Sequence, residues 1–514
     1  MRSETKSGIV YLIGGGPGDV GLITVKGLEC LKKCDVVIYD HLIPLELLYQ
    51  TPSDAELIDA SKHSGKHKLK QDEINQLLVD YANKGKIVCR LKGGDPFIFG
   101  RGGEEALFLK QYGVPFEIVP GITAGSAVPS FAGIPITHRG MVTQTVFVTA
   151  HEADLKSIGQ VDWELLAKLR SASIIGYMGV KTLQNVVGKL IKSGLPPDTD
   201  VAVISRGCSP AQKTVVGTLG NIIDVVSKAG ITPPAIFVVG ETVKLRENLK
   251  WYENKLLFGR RIVITRAVGQ SQELTADLRE LGAEVILFPT IATEYYADEK
   301  LQSVIDSGAK YDWIIFTSAN GVRYFFDALA ECKSDIRKFR KAKIAVVGAG
   351  TDRALTEKFI KSDFTPQRYL TSELAEELHK RFGVSGNKIL RVRGDTAPST
   401  VEDIFEGYGA AVETLTVYRI IVGKPIPGIR KKLLEDGADL ITFTSPSTVR
   451  NFVEIIGMDN AKMILSKADI LSIGPITSEA VRQFGLTVDV EASPHSIKGI
   501  ISAIVKWRNG KGDS

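Results

Sequence analysis

The segment DWIIFTSANGVRYF at 312–325 returns as DLITFTSPSTVRNF at 439–452, an offset of 127 residues. The same offset relates RIVITRA (261–267) to KILRVRG (388–394) and LGAEVILF (281–288) to YGAAVETL (408–415), while AVVGAGTDRAL at 345 returns as LSIGPITSEAV at 471, offset by 126. Short-period repeats build solenoids, whereas one duplication of this size predicts two similar α/β lobes with a ligand cleft between them. In each copy the F-T-S segment ends an apolar run and leads into a helical pattern, so hydroxyls and backbone N–H groups gather at a helix start. Helix capping alone is the plainer reading of these segments.

The 514 residues exceed one ordinary core, and roughly 100 to 200 residues per domain suggests about three compact units. Ahead of the duplicated part, β-rich apolar runs near 8–14, 35–39, 86–91, 144–149, 172–178, 200–205 and 235–240 alternate with amphipathic stretches, which is the pattern of an α/β fold. The charged, aromatic-bearing stretch KLRENLKWYENKLLFGR (244–260) marks a boundary before the fresh strand RIVITRA. No apolar run approaches the ~18 residues of a membrane helix, and MRSETKSG lacks a signal-peptide core, so a cytoplasmic setting without membrane association is expected. Five cysteines, scattered at 30, 34, 89, 208 and 332 with no C-x-x-C pair, read as small buried apolar residues. The net charge of +5 is spread along the chain without a Lys/Arg block, which argues against a nucleic-acid partner and suits an anionic small substrate. KHSGKH at 62–67 places two histidines in a glycine-bearing loop, and no metal site is expected there.

Near the start, YLIGGGPGDVGLIT (11–24) contains G-x-G-x-x-G, with Asp40 closing the next apolar run as the acidic residue of a dinucleotide fingerprint would. The intervening residues argue against phosphate. Pro17 has no N–H to donate, and Asp19 puts a negative charge where a diphosphate would lie. A second loop, RLKGGDPFIFGRGGEEALF (90–108), again sets a carboxylate, Asp95, after paired glycines, and VPGITAGSAVPSFAGIPITHRG (119–140) offers small residues with Thr123 at a turn into a helix. Glycine-bared backbone beside carboxylates suits a ligand with a ribose and a positive charge but no phosphate, and S-adenosylmethionine is such a ligand.

Five segments in order, GGGPGDVGLITVKGLECLKKCDVVIYDHLI, VCRLKGGDPFIFGRGGEE, VPGITAGSAVPSFAGIPITHR, YMGV and PAIFVVG, make residues 8–248 resemble uroporphyrinogen-III C-methyltransferase of the tetrapyrrole methylase superfamily. Residues 260–508 resemble uroporphyrinogen-III synthase through FTSANGV, VVGAGT, VYR, FTSPSTV and IGPITSEA. The resemblance implies a two-lobed α/β methylase fold followed by a two-lobed α/β synthase built from a duplicated half, with synthase lobes at about 260–293 plus 422–508 and at 294–420. It also implies a homodimer formed through the methylase half.

Chemically, the resemblance implies that hydroxymethylbilane is cyclised to uroporphyrinogen III with inversion of ring D through a spiro intermediate. That product is then methylated at carbons 2 and 7 with S-adenosylmethionine, giving precorrin-2 by way of precorrin-1, on the routes to sirohaem and cobalamin, and releasing S-adenosylhomocysteine. Carried over by motif, cofactor contacts fall on Pro17, Gly93, Gly94, Asp95, Ile98, Thr123, Ala124, Met178 and Gly207. The implied proton acceptor is Asp40 and the implied donor Lys62; otherwise Asp40 caps its turn and Lys62 is a solvated loop residue, and Met178, apart from the resemblance, reads as core filler. A substrate bearing eight carboxylates asks for cations, and Arg101, Arg139 and Lys92 are candidates. In the synthase half the family's acid aligns with Tyr418, whose equivalent in the first copy is Ile291; hydroxyls of Ser318, Thr351, Ser445 and Thr477 would hold carboxylates. With the methylase motif beginning at residue 8, no room is expected for an N-terminal dehydrogenase-chelatase module.

Overall fold

The computed structural model describes residues 8–60, 69–150, 161–368 and 371–511. Among the described residues four five-stranded sheets form, and helices separate most successive strands. The first sheet is parallel throughout in the order β3-β2-β4-β1-β5, from β1 (Ile9–Gly14), β2 (Val36–Tyr39), β3 (Glu56–Asp59), β4 (Ile87–Lys92) and β5 (Phe116–Val119). Its inner strands are largely buried, which is why β1 and β2 read as apolar runs, while β4 carries Arg90 and Lys92 among its apolar residues. The second sheet, β6-β7-β10-β8-β9, joins β6 (Gln144–Thr149) to β7 (Ala172–Tyr177) in parallel and adds β8 (Asp200–Ser205), β9 (Lys213–Thr218) and β10 (Ala235–Val239) antiparallel.

All seven strands expected from this half form. The three that were not expected, β3, β5 and β9, are sheet edges. An edge strand needs fewer apolar residues, and ELID, FEIV and KTVVGT do not stand out from their surroundings.

The duplicated half continues with β11 (Arg261–Ile264), β12 (Glu284–Leu287), β13 (Ile291–Tyr295), β14 (Trp313–Phe316) and β15 (Lys343–Val346), then β16 (Lys388–Gly394), β17 (Ala411–Val422), β18 (Leu440–Phe443), β19 (Asp469–Ser472) and β20 (Val490–Glu491). The two copies exchange strands. One sheet, β12-β11-β18-β19-β20, takes two strands from the first copy and three from the second; the other, β13-β17-β16-β14-β15, does the reverse. The exchange has a local cause in the first copy, where Pro289, lacking an N–H, interrupts the ladder between β12 and β13. At the equivalent place in the second copy Leu415–Thr416–Val417 carries β17 on as one strand of 12 residues.

The chain divides into two compact units, Met1–Phe288 with Pro425–Ser514, and Pro289–Lys424, so the backbone passes between them twice. The boundary read near residue 250 falls inside the first unit. There an apolar cluster runs from Ile13, Leu31, Leu47 and Leu48 to Ile286, Phe288, Ile426 and Phe443, packing the first sheet's layer against the sheet of β11 and β18. The second unit has its own core around Phe316, Phe325, Leu390 and Leu415. Cys30, Cys34, Cys89 and Cys208 are buried, as expected of apolar cysteines, whereas Cys332 is half-buried. Among the described residues no helix is long and apolar enough to cross a membrane.

Because each sheet needs strands of both copies, residues 261–387 made alone should lack a cooperative unfolding transition. Mixing them with 388–511 should restore one, as followed by circular dichroism.

Candidate functional site

The loops that follow β1, β4 and β5 meet at the carboxyl ends of three neighbouring parallel strands, where open α/β sheets hold ligands. They meet through bare backbone. Gly16 and Gly94 exchange hydrogen bonds, Gly94 N–H to Gly16 O at 3.0 Å and Gly16 N–H to Gly94 O at 3.2 Å, and Gly15 N–H donates to Lys92 O at 2.8 Å. A Cβ on Gly121 would lie 2.2 Å from Gly94 O, so only glycine lets the second and third loops touch. Asp95 fastens the same contact with both carboxylate oxygens, Oδ1 accepting from Phe97 N–H at 2.7 Å and Oδ2 from Gly121 N–H at 2.9 Å.

The first loop is a poor diphosphate cradle, because four of its amides are bonded within the protein. Its amides at Gly15 and Gly16 are spent on β4's extension, Asp19 N–H goes to Pro17 O at 2.8 Å, and Gly21 N–H goes to the Asp19 carboxylate at 2.7 Å. Pro17 itself is buried. What remains open lies above Gly94, at φ +70°, where an added Cβ would meet nothing nearer than Ala124 N at 3.7 Å.

Residues from the second sheet close around these loops. Tyr177, ending β7, puts its hydroxyl 2.5 Å from Thr123 Oγ1 and accepts Gly125 N–H at 2.6 Å. Its ring lies 4.9 Å from that of Phe99. Burial pushes the Tyr177 phenol above its ordinary value, with the Thr123 and Gly125 bonds working the other way. Met178 follows at φ 56° and is exposed, so it is not core filler, and Ile98 is exposed as well. Gly207, after β8, approaches Gly18 so closely that a Cβ on Gly18 would lie 2.6 Å from Gly207 O. The structure thus brings together Pro17, Gly93, Gly94, Asp95, Ile98, Thr123, Ala124, Met178 and Gly207.

Asp40 stands at the end of β2, beside β4. Its carboxylate does not cap its turn: Oδ1 accepts from Arg90 Nη2 at 2.5 Å, and Lys92 Nζ stands 3.7 Å from Oδ2. Arg90 and Lys92 share one face of β4, and both also reach Glu105 Oε1, at 3.0 and 2.9 Å, on the helix Gly102–Gln111. Gln71 adds a donor to the same oxygen at 3.1 Å. Arg90, Lys92 and Glu105 are fully or almost fully buried, whereas the Asp40 side chain is 32% exposed. Burial and the neighbouring Arg90 hold the Lys92 ammonium below its ordinary value; for Arg90 burial is outweighed by Glu105 and Asp40, which keep it above.

Lys92 is therefore corrected. A central strand turns this side chain into the protein against Glu105, so it is not a cation offered to a substrate. Arg101, at φ 57° before the helix, is exposed and forks onto Glu104 at 2.9 and 2.6 Å. Arg139 is exposed on the turn closed by His138 N–H to Val142 O at 3.0 Å, and none of the loop contacts above involves it. Lys62 and the histidines of KHSGKH lie outside the described residues. Sequence reasoning passed over Arg90, Glu105 and Tyr177. Two cations at alternate positions of an otherwise apolar strand, VCRLK, were the available signal.

In the unit 289–424 the Tyr418 hydroxyl lies 3.1 Å from Ser318 Oγ, and its ring stacks on Tyr324 at 5.5 Å between centroids. Gly394 makes room for it, since a Cβ there would fall 2.6 Å from the ring. Ser318 also caps the helix Ala319–Glu331 by accepting Gly321 N–H at 3.0 Å. In the other unit Ser445 caps Pro446–Ile456 in the same way, accepting Thr448 N–H at 3.3 Å. The capping reading of the F-T-S segments thus holds for both serines. Thr351 and Thr477 are buried in the first turns of the helices Ala349–Thr356 and Pro475–Gln483.

Comparison with known proteins assigns the two halves. Residues 9–223 match the family Tetrapyrrole (Corrin/Porphyrin) Methylases, and residues 272–502 match Uroporphyrinogen-III synthase HemD. The porphyrin biosynthesis protein HemD of Ruminiclostridium josui is 34% identical over 98% of this chain and 99% of its own length. The uroporphyrinogen-III C-methyltransferase of Methanocaldococcus jannaschii is 49% identical over 47% of this chain and 99% of its own. A solved structure of uroporphyrin-III C-methyl transferase from Thermus thermophilus, complexed with S-adenyl homocysteine, is 34% identical, covers 46% of this chain and 93% of its own, and superposes with a TM-score of 0.39.

Glu105 is the one anion wholly inside the β4 cluster. Glu105→Gln should cost about 3–5 kcal/mol by leaving two buried cations short of a counter-charge, measurable by urea unfolding.

Proposed function

The chain belongs to a family of porphyrin-biosynthesis proteins that join a tetrapyrrole methylase to a uroporphyrinogen-III synthase, and from this premise we propose that it makes uroporphyrinogen III and then methylates it. It is an enzyme with both activities, an S-adenosylmethionine-dependent methyltransferase and a synthase. In the finer reading, hydroxymethylbilane is closed with inversion of ring D, and carbons 2 and 7 of the product are methylated to give precorrin-2. A homodimer through the methylase half and a cytoplasmic location complete the proposal.

The observation that carries the methylase reading is the Asp40 carboxylate, anchored through Oδ1 by Arg90 and partly open to solvent at the rim of the sheet that bears the glycine loops. The residues fit S-adenosylmethionine: the space above Gly94 is open, the first loop's amides at Gly15, Gly16, Asp19 and Gly21 are already bonded within the protein, and Ile98 and Met178 expose apolar surface. Gly93, Gly94, Asp95, Thr123, Ala124, Pro17 and Gly207 would hold it with them. When bound, it supplies a methyl group made electrophilic by a sulfonium. The protein's part is alignment, exclusion of water, and removal of a proton from the pyrrole system, which the new carbon–carbon bond leaves cationic. Asp40 Oδ2 takes that proton in this reading, with Oδ1 held still by Arg90, and Lys62 is the proposed donor. Arg101 and Arg139, both exposed, are proposed for substrate carboxylates.

In the synthase half, Tyr418 donates the proton on which the bilane's hydroxyl leaves, and Ser318, 3.1 Å away, orients it. Ser318 and Ser445 bring substrate carboxylates to two capped helix starts. Thr351 and Thr477, being buried, pack those regions and contribute chiefly through their position.

Incubated with hydroxymethylbilane and S-adenosylmethionine, the protein should yield precorrin-2, seen after oxidation as sirohydrochlorin. Uroporphyrin I alone would remove the synthase reading, and unmethylated uroporphyrin III would remove the methylase reading. Asp40→Asn should slow methyl transfer by about 10²–10⁴-fold with cofactor binding retained by calorimetry; unchanged turnover would count against Asp40 as the base.

A further inference from the structure

Tyr49 belongs to the methylase half by sequence but makes its hydrogen bonds to the synthase half. It lies in the short 3₁₀ helix Leu45–Gln50, after the turn that carries Asp40. Its hydroxyl donates to Leu287 O at 2.9 Å and accepts Ile426 N–H at 3.4 Å. Those partners flank the two places where the backbone leaves its unit, 288–289 on the way out and 424–425 on the way back. One side chain therefore bridges the outgoing and returning segments at their root.

Beyond the crossing, the same segments are paired to each other. Gly423 N–H donates to Thr290 O at 2.9 Å, and β13 continues the pairing antiparallel with β17, Ile291 opposite Val422. A Cβ on Gly423 would fall 2.2 Å from Pro289 O, so the backbones run as close as glycine permits. The connection is thus a two-stranded ribbon, and Tyr49 fixes its base. Leu47 and Leu48, from the same 3₁₀ helix, are buried in the apolar cluster that also takes in Ile286, Phe288 and Ile426, which holds this helix against the ribbon's root. Burial pushes the Tyr49 phenol up, the Ile426 N–H opposing it, so the hydroxyl keeps its proton and can donate and accept at once.

We infer that Tyr49 is a positioning residue for the synthase reaction, through which the methylase half sets the conformational freedom of the ribbon joining the two synthase lobes. Residues that govern such connections lie far from the chemistry and move kcat and KM together when changed. The inference rests on the synthase reading above. It adds a reason for the two activities to share a chain beyond the passing of product from one to the other.

The test uses the full-length chain and Tyr49→Phe, which keeps the ring and removes both bonds. Hydrogen exchange should quicken at the amides around 287–291 and 422–427. Synthase kcat/KM for hydroxymethylbilane should fall on the order of ten-fold, the worth of two modest hydrogen bonds, with kcat and KM both displaced. Methyl transfer to supplied uroporphyrinogen III should stay unchanged, which also reports that the variant is folded. Gly423→Ala, which disturbs the ribbon from its other side, should give the same separation of the two activities. A wild-type chain without synthase activity would overturn the functional reading. An active wild type whose Tyr49→Phe variant matches it in kcat and KM would overturn the inference. So would a variant that loses both activities by one common factor with KM unmoved, as a merely structural role requires.

Discussion

A carboxylate with no access to water governs the methylase half. Glu105 lies inside the protein, and its Oε1 takes Arg90, Lys92 and Gln71 together. Without it two cations on one face of a central strand could not be buried, since an unpaired charge in an apolar interior costs several kcal/mol. With it, β4 reaches its carboxyl end with Arg90 aimed at Asp40 and with Gly93 and Gly94 leading directly into the ligand loop. The ion cluster adds little net stability against an apolar alternative. Its effect is geometric, because the position of Asp40's inner oxygen is set by a guanidinium that cannot itself move.

In the synthase half the dominant constraint is topological. Each copy of the repeat begins in one sheet and ends in the other, so the chain has to leave and return once each. Where it leaves, Pro289 breaks a strand that runs on uninterrupted at the matching place in the second copy. Where it returns, Gly423 tolerates a contact no side chain would allow. The duplication is therefore symmetric in its strands and asymmetric in its connections, and Tyr418 follows that asymmetry. It lies on the unbroken strand, where Gly394 leaves space for its ring, while the first copy has Ile291 at that register.

Much of this was legible from residues alone. Inner strands announced themselves because burial on both faces favours apolar residues, and the glycine loops did so because backbone contact excludes every other residue. The edge strands β3, β5 and β9 were not legible, since one-sided burial leaves a short mixed segment such as ELID that resembles a loop. Lys92 was misread for a related reason: a charged residue in a motif suggests a ligand, and only three-dimensional placement shows that its partner is Glu105, 13 residues on in a helix that reads as solvated. Asp95 was expected to face a ligand, and both of its oxygens also hold backbone amides, so it shapes the loops as well. Tyr49 carried no signal at all, because its partners, Leu287 and Ile426, are backbone groups hundreds of residues away.

The exchanged strands also bear on how such a protein could arise. A single copy leaves two half-sheets with open edges, and a second copy in a separate chain would close both through the same pairings that the fused chain makes internally. The unduplicated form is thus self-complementary, and its assembly would vary with concentration. Joining the copies end to end replaces that dependence with a fixed effective concentration set by the connecting segments. Once the partners are permanent, each copy is free to diverge from the other, and a tyrosine can appear in one of them alone.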